Sequence, residues 1–289
     1  MDILFALLSG TIISIMVSIN GELSYCIGNY FSTVVIRVIG TIFALIFCFI
    51  MHEKIVINKK IVLWSLVGGI IGMLTTLFNN FSYAYISMTS IVALGLLGQT
   101  ITSTVIDMFG LFGMNKHDIH KSTWVGLLIS ITGVAVMLDI SVMNSFLAMM
   151  ISVFAGSAVV FSRTVNANLA CEAGTYLGTF YNHIMGVPFC ILLWGMMSDF
   201  SITANLSFEP WMLLGGMLGV LSLWVFNTLV PRISSFRLTL LSFLGQLFTG
   251  FFIDIFTHQD ISSSMFWGGI ICASGFLLSF VYEYYEKKR

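Results

Sequence analysis

The chain predicts an all-α integral membrane fold, with ten transmembrane helices forming two inverted five-helix repeats. Three observations carry that expectation. Of its 289 residues only 9% are charged and 58% are hydrophobic, whereas a soluble domain carries about 25% charged residues. Ten apolar runs follow one another with short loops between them, each near the roughly 20 residues needed to cross hydrocarbon. The second half also repeats the first in order. Asn20, Leu23, Gly28 and Gly40 recur as Asn166, Leu169, Gly174 and Gly186. Gly68, Gly69 and Gly72 recur as Gly215, Gly216 and Gly219, and Gly98, Gln99 and Asp107 as Gly245, Gln246 and Asp254. An odd number of spans in each copy sets the copies upside down relative to each other.

The first run, 3–20, has no basic segment before it and no small-residue cleavage site after it, so a retained span is expected. Runs at 31–51, 61–79, 86–108 and 122–140 complete the first copy. The second follows at 145–163, 176–197, 210–228, 235–256 and 264–282. The boundary near Ser141–Asn144 divides the chain into repeats 1–143 and 144–289. Backbone groups in lipid must bond within their own segment, so these runs are helices. Their lengths and lack of strict alternation exclude a barrel. Pro210 and Pro231 flank the eighth run, and Pro188 stands inside the seventh, where a kink is expected.

Basic residues test this topology. With the amino terminus in the cytoplasm, Lys54, Lys59, Lys60, Lys116, Lys121, Arg163, Arg232, Arg237, Lys287, Lys288 and Arg289 fall inside, and Arg37 alone falls toward the outside. The positive-inside rule favours this arrangement over its mirror image. A multi-pass protein of the bacterial cytoplasmic (inner) membrane is expected, with both termini cytoplasmic. Tyr282, Tyr284 and Tyr285 would form an interfacial belt beside the last basic residues.

The net charge of -1 and the lack of a basic patch argue against a nucleic-acid partner. No Gly-rich loop ends in Gly-Lys-Ser/Thr, so energy for any transport must come from a gradient. No cofactor is expected, and no metal-ligand spacing is present. Cys26, Cys48, Cys171, Cys190 and Cys272 read as small packing residues without disulfides.

Polar groups at membrane depth are the candidates for function. Gln99 and Gln246 lie midway along the fourth and ninth helices, where they either tie helices together or line a midplane site. Asn20 and Asn166 stand at the ends of the first and sixth helices, and Asn80 and Asn227 near the ends of the third and eighth. These asparagines either cap helices or act at two equivalent gates. Arg37 lies about six positions into the second helix, roughly 9 Å along its axis. An ionisable residue there marks a functional site unless it snorkels to the headgroups. Glu22 is its expected ion-pair partner. His183 takes the Arg37 position in the second copy, as a proton carrier or a hydrogen-bonded structural histidine. Asp107 and Asp254 close the fourth and ninth helices, the end that the helix dipole disfavours for a carboxylate, so both are expected to be wetted. Gly68 with Gly72, and Gly215 with Gly219, give small faces for close packing or for sliding. Gly126, Gly133, Gly268 and Gly275 suit a scaffold or a homodimer interface.

Three segments are familiar together: Asn20 to Gly40, Gly68 to Gly72, and Gly98-Gln99 through Asp107 to Gly110-Leu111-Phe112-Gly113. The second copy keeps Gly245-Gln246 and Asp254 but ends in Phe256-Thr257-His258. The chain resembles the drug/metabolite transporter superfamily, in its YdcZ-like branch of bacterial inner-membrane exporters. That resemblance implies a central cavity among helices 1–4 and 6–9, with helices 5 and 10 peripheral. It also implies a carrier of small organic solutes, often proton-coupled, working by alternating access.

The expected function is therefore a secondary transporter exporting a small metabolite or drug-like solute. Arg37, Gln99, Gln246, Asn80, Asn227, Asn20 and Asn166 would bind the solute, and Glu22 or His183 would couple or gate. The alternative is a flippase for a lipid or lipid-linked small molecule, with a cavity open sideways to the bilayer. An enzyme is not expected, since no acid, base or metal groups converge.

Overall fold

The computed structural model describes residues 1–53, 59–114, 116, 121–137, 145–202, 209–257, 264, 267–275 and 278. The first half contains α1 (Asp2–Ile27), α2 (Asn29–Ile50), α3 (Lys59–Tyr83), α4 (Met88–Phe109) and α5 (Lys121–Met137). The second contains α6 (Phe146–Ala173), α7 (Thr175–Ser198), α8 (Leu214–Leu229) and α9 (Ser235–Phe256). A 3-10 turn at Pro210–Leu213 leads into α8, and residues 267–275 are helical. Among the described residues eight helices are long and apolar enough to cross a membrane, namely α1–α4 and α6–α9. The half boundary at Ser141–Asn144, the tyrosines at 282, 284 and 285, Lys54 and the Lys287–Arg289 anchor lie outside the described residues.

α1 and α6 outrun the apolar runs that announced them. At 26 and 28 residues, and 1.5 Å per residue, each is about 40 Å long against a hydrocarbon core of about 30 Å. Asn20 and Asn166 therefore sit inside helices and cap nothing. Each long helix turns into the next through a single glycine, Gly28 at φ 84° and Gly174 at φ 94°. A residue with a Cβ is strained at that φ, which explains why both copies keep glycine there. α7 continues through Pro188.

Helices of one half pack mainly on helices of the other. α1 lies against α8 and α9, α6 against α3 and α4, α2 against α7, and α4 against α9. Glycines set the closest crossings. A methyl group added at Gly98 would overlap the carbonyl oxygen of Val153, and one at the equivalent Gly245 would overlap that of Leu7. Gly156 meets the Gly95 carbonyl as Gly10 meets that of Ser242. Removing side chains here lets backbones touch across the seam, which is how helices associate where lipid gives no hydrophobic drive. Outside this group, α5 packs on α4, and its Gly133 meets Gly268 and Cys272 while Gly275 meets Gly126. These glycines are thus used within the chain.

The two carboxylates expected to be wetted are instead buried, Asp107 at 3% exposure and Asp254 at 1%. Asp107, at the end of α4, accepts from the Ser235 and Phe236 amides at the start of α9, at 3.1 and 2.8 Å. Asp254, at the end of α9, accepts from the Met88 and Thr89 amides at the start of α4, at 3.1 and 2.9 Å, and also from the Thr89 hydroxyl. A helix start leaves four amides without intrahelical partners and carries partial positive charge. Each carboxylate therefore finds, on the other half, the stabilisation its own helix end denies it. The start-to-end pairing makes α4 and α9 antiparallel. Ser87 and Ser234 complete the two starts by accepting from the Ser90 and Arg237 amides.

Two glycines three residues apart on α4 test this packing. Gly98→Ala should strongly reduce the monodisperse yield of detergent-solubilised protein and lower its melting temperature. Gly95→Ala should leave both near wild type, because its methyl would meet only ordinary contacts at 3.8 Å or more. Size-exclusion profiles and thermal unfolding measure the contrast.

Candidate functional site

A cavity of about 120 Å³ lies between the halves, lined by residues of α1, α2 and α3 from one and α6, α7 and α8 from the other. A single water needs roughly 10–15 Å³, so there is room for several waters or one small solute. Arg37 enters from α2, about 12 Å from its start, and is 4% exposed. Gly72 of α3 makes room for it, since a methyl there would lie 2.6 Å from Nη2. Gly40 makes the equivalent room for the His183 ring of α7. The exchange of arginine for histidine between the copies thus brings both rings and forks to one cavity.

A polar relay crosses the cavity wall. Arg37 donates through Nη1 to Asn182 Oδ1 at 3.2 Å, Asn182 donates through Nδ2 to Asn166 Oδ1 at 2.7 Å, and Asn166 donates to Ser162 Oγ at 3.1 Å. The first half does not reproduce it. Asn20 is the counterpart of Asn166, but the position equivalent to Asn182 is Ile36, so the buried Asn20 Oδ1 has no hydrogen-bond partner. His183 Nδ1 is also unpartnered, as are Nε and Nη1 of Arg163. Arg163 is buried on α6, donates through Nη2 to the Ser235 carbonyl at 2.8 Å and to the Thr239 hydroxyl, and stands 5.8 Å from the Phe226 ring centre. Buried polar groups are normally satisfied; Asn20, Arg163 and His183 line this cavity, while further unpartnered atoms on Asn29, Asn80, Thr104, Ser152, Asn227 and Ser235 lie outside it.

The remaining candidates fall elsewhere. Gln99 and Gln246 line a separate void of about 30 Å³ at the α4/α9 seam. Asn80 and Glu22 line an outer pocket of about 490 Å³ at the end of α1 and α3. Asn80 reaches Ser32 at 3.5 Å, and Asn227 donates to Thr179 at 3.1 Å, so neither caps its helix. Glu22 does not pair with Arg37. It accepts from the Tyr83 hydroxyl of α3 at 3.1 Å. Glu172 pairs with Lys60 at 2.6 Å. Among the described residues no group of three or more His, Cys, Asp or Glu could hold a metal.

Sequence reasoning missed Asn182 and Arg163. Arg163 was placed at the cytoplasmic boundary because the sixth apolar run breaks at its charge. The repeat held the correcting signal. Gly174 matches Gly28, so α6 had to continue ten residues past Arg163, which places that arginine inside the protein. Asn182 has no such marker, since its counterpart is isoleucine.

Comparison with known proteins follows from this architecture. Residues 1–136 and 147–278 each match the family described as "Putative inner membrane exporter, YdcZ". The chain belongs to that family. Its two matched segments are the two repeats, and together they cover nearly the whole chain. It is a multi-pass protein of the inner membrane, and an exporter family implies a transporter rather than an enzyme. One crystal structure superposes with a TM-score of 0.62 over 97% of this chain and 95% of its own, at 12% identity, a likeness of fold alone. No curated protein matches the chain significantly.

Asn182→Leu removes the centre of the relay and leaves a guanidinium nitrogen and the Asn166 oxygen without partners. Each such loss costs about 1–3 kcal/mol. The variant should unfold at a clearly lower temperature than wild type in the same detergent. Asn182→Asp, which keeps an acceptor for Arg37, should recover part of that loss.

Proposed function

We propose that the protein is a secondary transporter that exports a small organic solute by alternating access, with the solute held in the cavity between the halves. The observation that carries this reading is one central cavity lined by polar residues of both halves, Asn20 and Arg37 from one and Arg163, Asn182 and His183 from the other. A solute bound there touches α1, α2 and α3 as well as α6, α7 and α8, so movement of one half against the other would open it to either side.

In this reading ten spans form two inverted repeats with both termini in the cytoplasm. The antiparallel α4/α9 pair and the repeated glycine crossings support the inversion, and the Lys and Arg distribution supports the orientation. Glu22 and Tyr83 act as an outer gate. The Tyr83 hydroxyl is bonded to Glu22 and lies 3.3 Å from the Ser18 hydroxyl, while its ring covers Gly21. Arg37, Asn20 and Asn166 belong to the solute site. Gln99 and Gln246 serve the seam, and Asn80 and Asn227 brace neighbouring helices. His183 is the coupling group, as the imidazole in the cavity lining and the counterpart of Arg37 in the second copy.

Reconstituted vesicles loaded with a mixture of small metabolites test the proposal. Under an imposed proton gradient, mass spectrometry of the released solutes should find one or a few lost faster than from protein-free vesicles. Arg37→Ala should slow that flux about tenfold or more, the effect of losing a charged hydrogen bond, with insertion unchanged. His183→Ala should flatten its pH dependence. Release no faster than from empty lipid, for every solute and gradient, would refute the reading.

A further inference from the structure

We infer that the central cavity is an oxyanion site, taking a small organic anion whose carboxylate or phosphate head lies between Arg37 and Arg163. The inference rests on the reading of this cavity as the solute site. Its lining carries two guanidinium groups and, among the described residues, no carboxylate. Arg37 makes its hydrogen bond to a neutral amide, Asn182, and no described carboxylate pairs with it. Arg163 is held in place through Nη2, which bonds the Ser235 carbonyl and the Thr239 hydroxyl, while its Nε and Nη1 have no hydrogen-bond partner. Asp107 is within electrostatic range of Arg163 and offsets part of its charge, so Arg37 is the lining guanidinium without a described counter-charge.

A buried guanidinium without a counter-charge is costly, and its planar donors match carboxylate and phosphate oxygens in pairs. An anion would therefore satisfy both arginines at once. A neutral solute would leave Arg37 uncompensated, and a cation would be repelled. The lining also carries apolar side chains, Ile13, Met16, Leu223 and Phe226. The favoured solute is thus amphipathic, with a compact apolar body behind its charged head.

Binding to the purified full chain, read by thermal shift and calorimetry, separates the chemistries without any flux measurement. The probes are benzoate, phenyl phosphate, benzamide and benzylammonium. Either anion, or both, should bind at least about tenfold more tightly than the amide or the cation, the size of one charged hydrogen bond. The tighter of the two anions then identifies the head group. Arg163→Gln and Arg37→Gln should each weaken that anion about tenfold. Asn20→Asp, nearly isosteric and safer for folding, should weaken it comparably by adding negative charge.

Equal or tighter binding of benzamide or benzylammonium would overturn the proposal. So would the failure of both anions to bind, or anion affinity unaltered in all the variants that fold. Anion binding without flux in vesicles would leave the oxyanion site standing and remove the transporter reading. Flux confined to a neutral or cationic solute would do the reverse.

Discussion

Two buried carboxylates, exchanged between the halves, set the frame on which the other contacts are arranged. Asp107 ends α4 and holds the start of α9, and Asp254 ends α9 and holds the start of α4. In hydrocarbon an unsatisfied amide costs several kcal/mol, so a helix start in a membrane protein requires an acceptor. A carboxylate at a helix end is disfavoured by its own dipole but favoured by the dipole of the neighbouring start. Both requirements are met together only when α4 and α9 lie antiparallel and in register. The glycine crossings then bring α1 onto α9 and α6 onto α4 at backbone contact. Once these four helices are placed, α2, α3, α7 and α8 can close around a shared space.

Symmetry holds at the seam and fails in the cavity. The glycine and carboxylate contacts of one half recur in the other at equivalent residues, whereas the cavity wall is built from unlike partners. Asn182 faces Arg37 and Asn166, while its counterpart Ile36 offers Asn20 nothing to bond. Arg163 has Val17 as its counterpart, and His183 has Arg37. The frame uses the repeat for stability, where both copies face the same task. The proposed solute, with one head and one body, has no such symmetry to match. Divergence between copies therefore falls on the lining residues.

Much of the frame was legible in the sequence because it depends on local signals. Apolar run length gave the helices, and ordered recurrence gave the two copies. The lone arginine inside an apolar run singled out Arg37, and its histidine counterpart drew attention to His183. What escaped was non-local. Asp107 and Asp254 were visible as a repeated pair at helix ends, but the helix starts that bind them lie more than a hundred residues away in the chain. Glu22 is near Arg37 in sequence order and on the same side of the membrane, yet it turns to Tyr83, a contact that spacing alone does not encode. Arg163 was lost to a charge that ended its apolar run early. Burial of a charged residue depends on which helices surround it, and hydropathy carries no record of that.

The proposed inverted threading of the two halves can be measured directly. Phe109 and Phe256 sit at equivalent points, just beyond the two carboxylates, and are 64% and 79% exposed. Each can be replaced by cysteine in a background lacking the native thiols and labelled with a membrane-impermeant maleimide on sealed vesicles of known orientation. Labelling of Phe109→Cys from the cytoplasmic face only, and of Phe256→Cys from the opposite face only, is the predicted result. Labelling of both from the same face would contradict it.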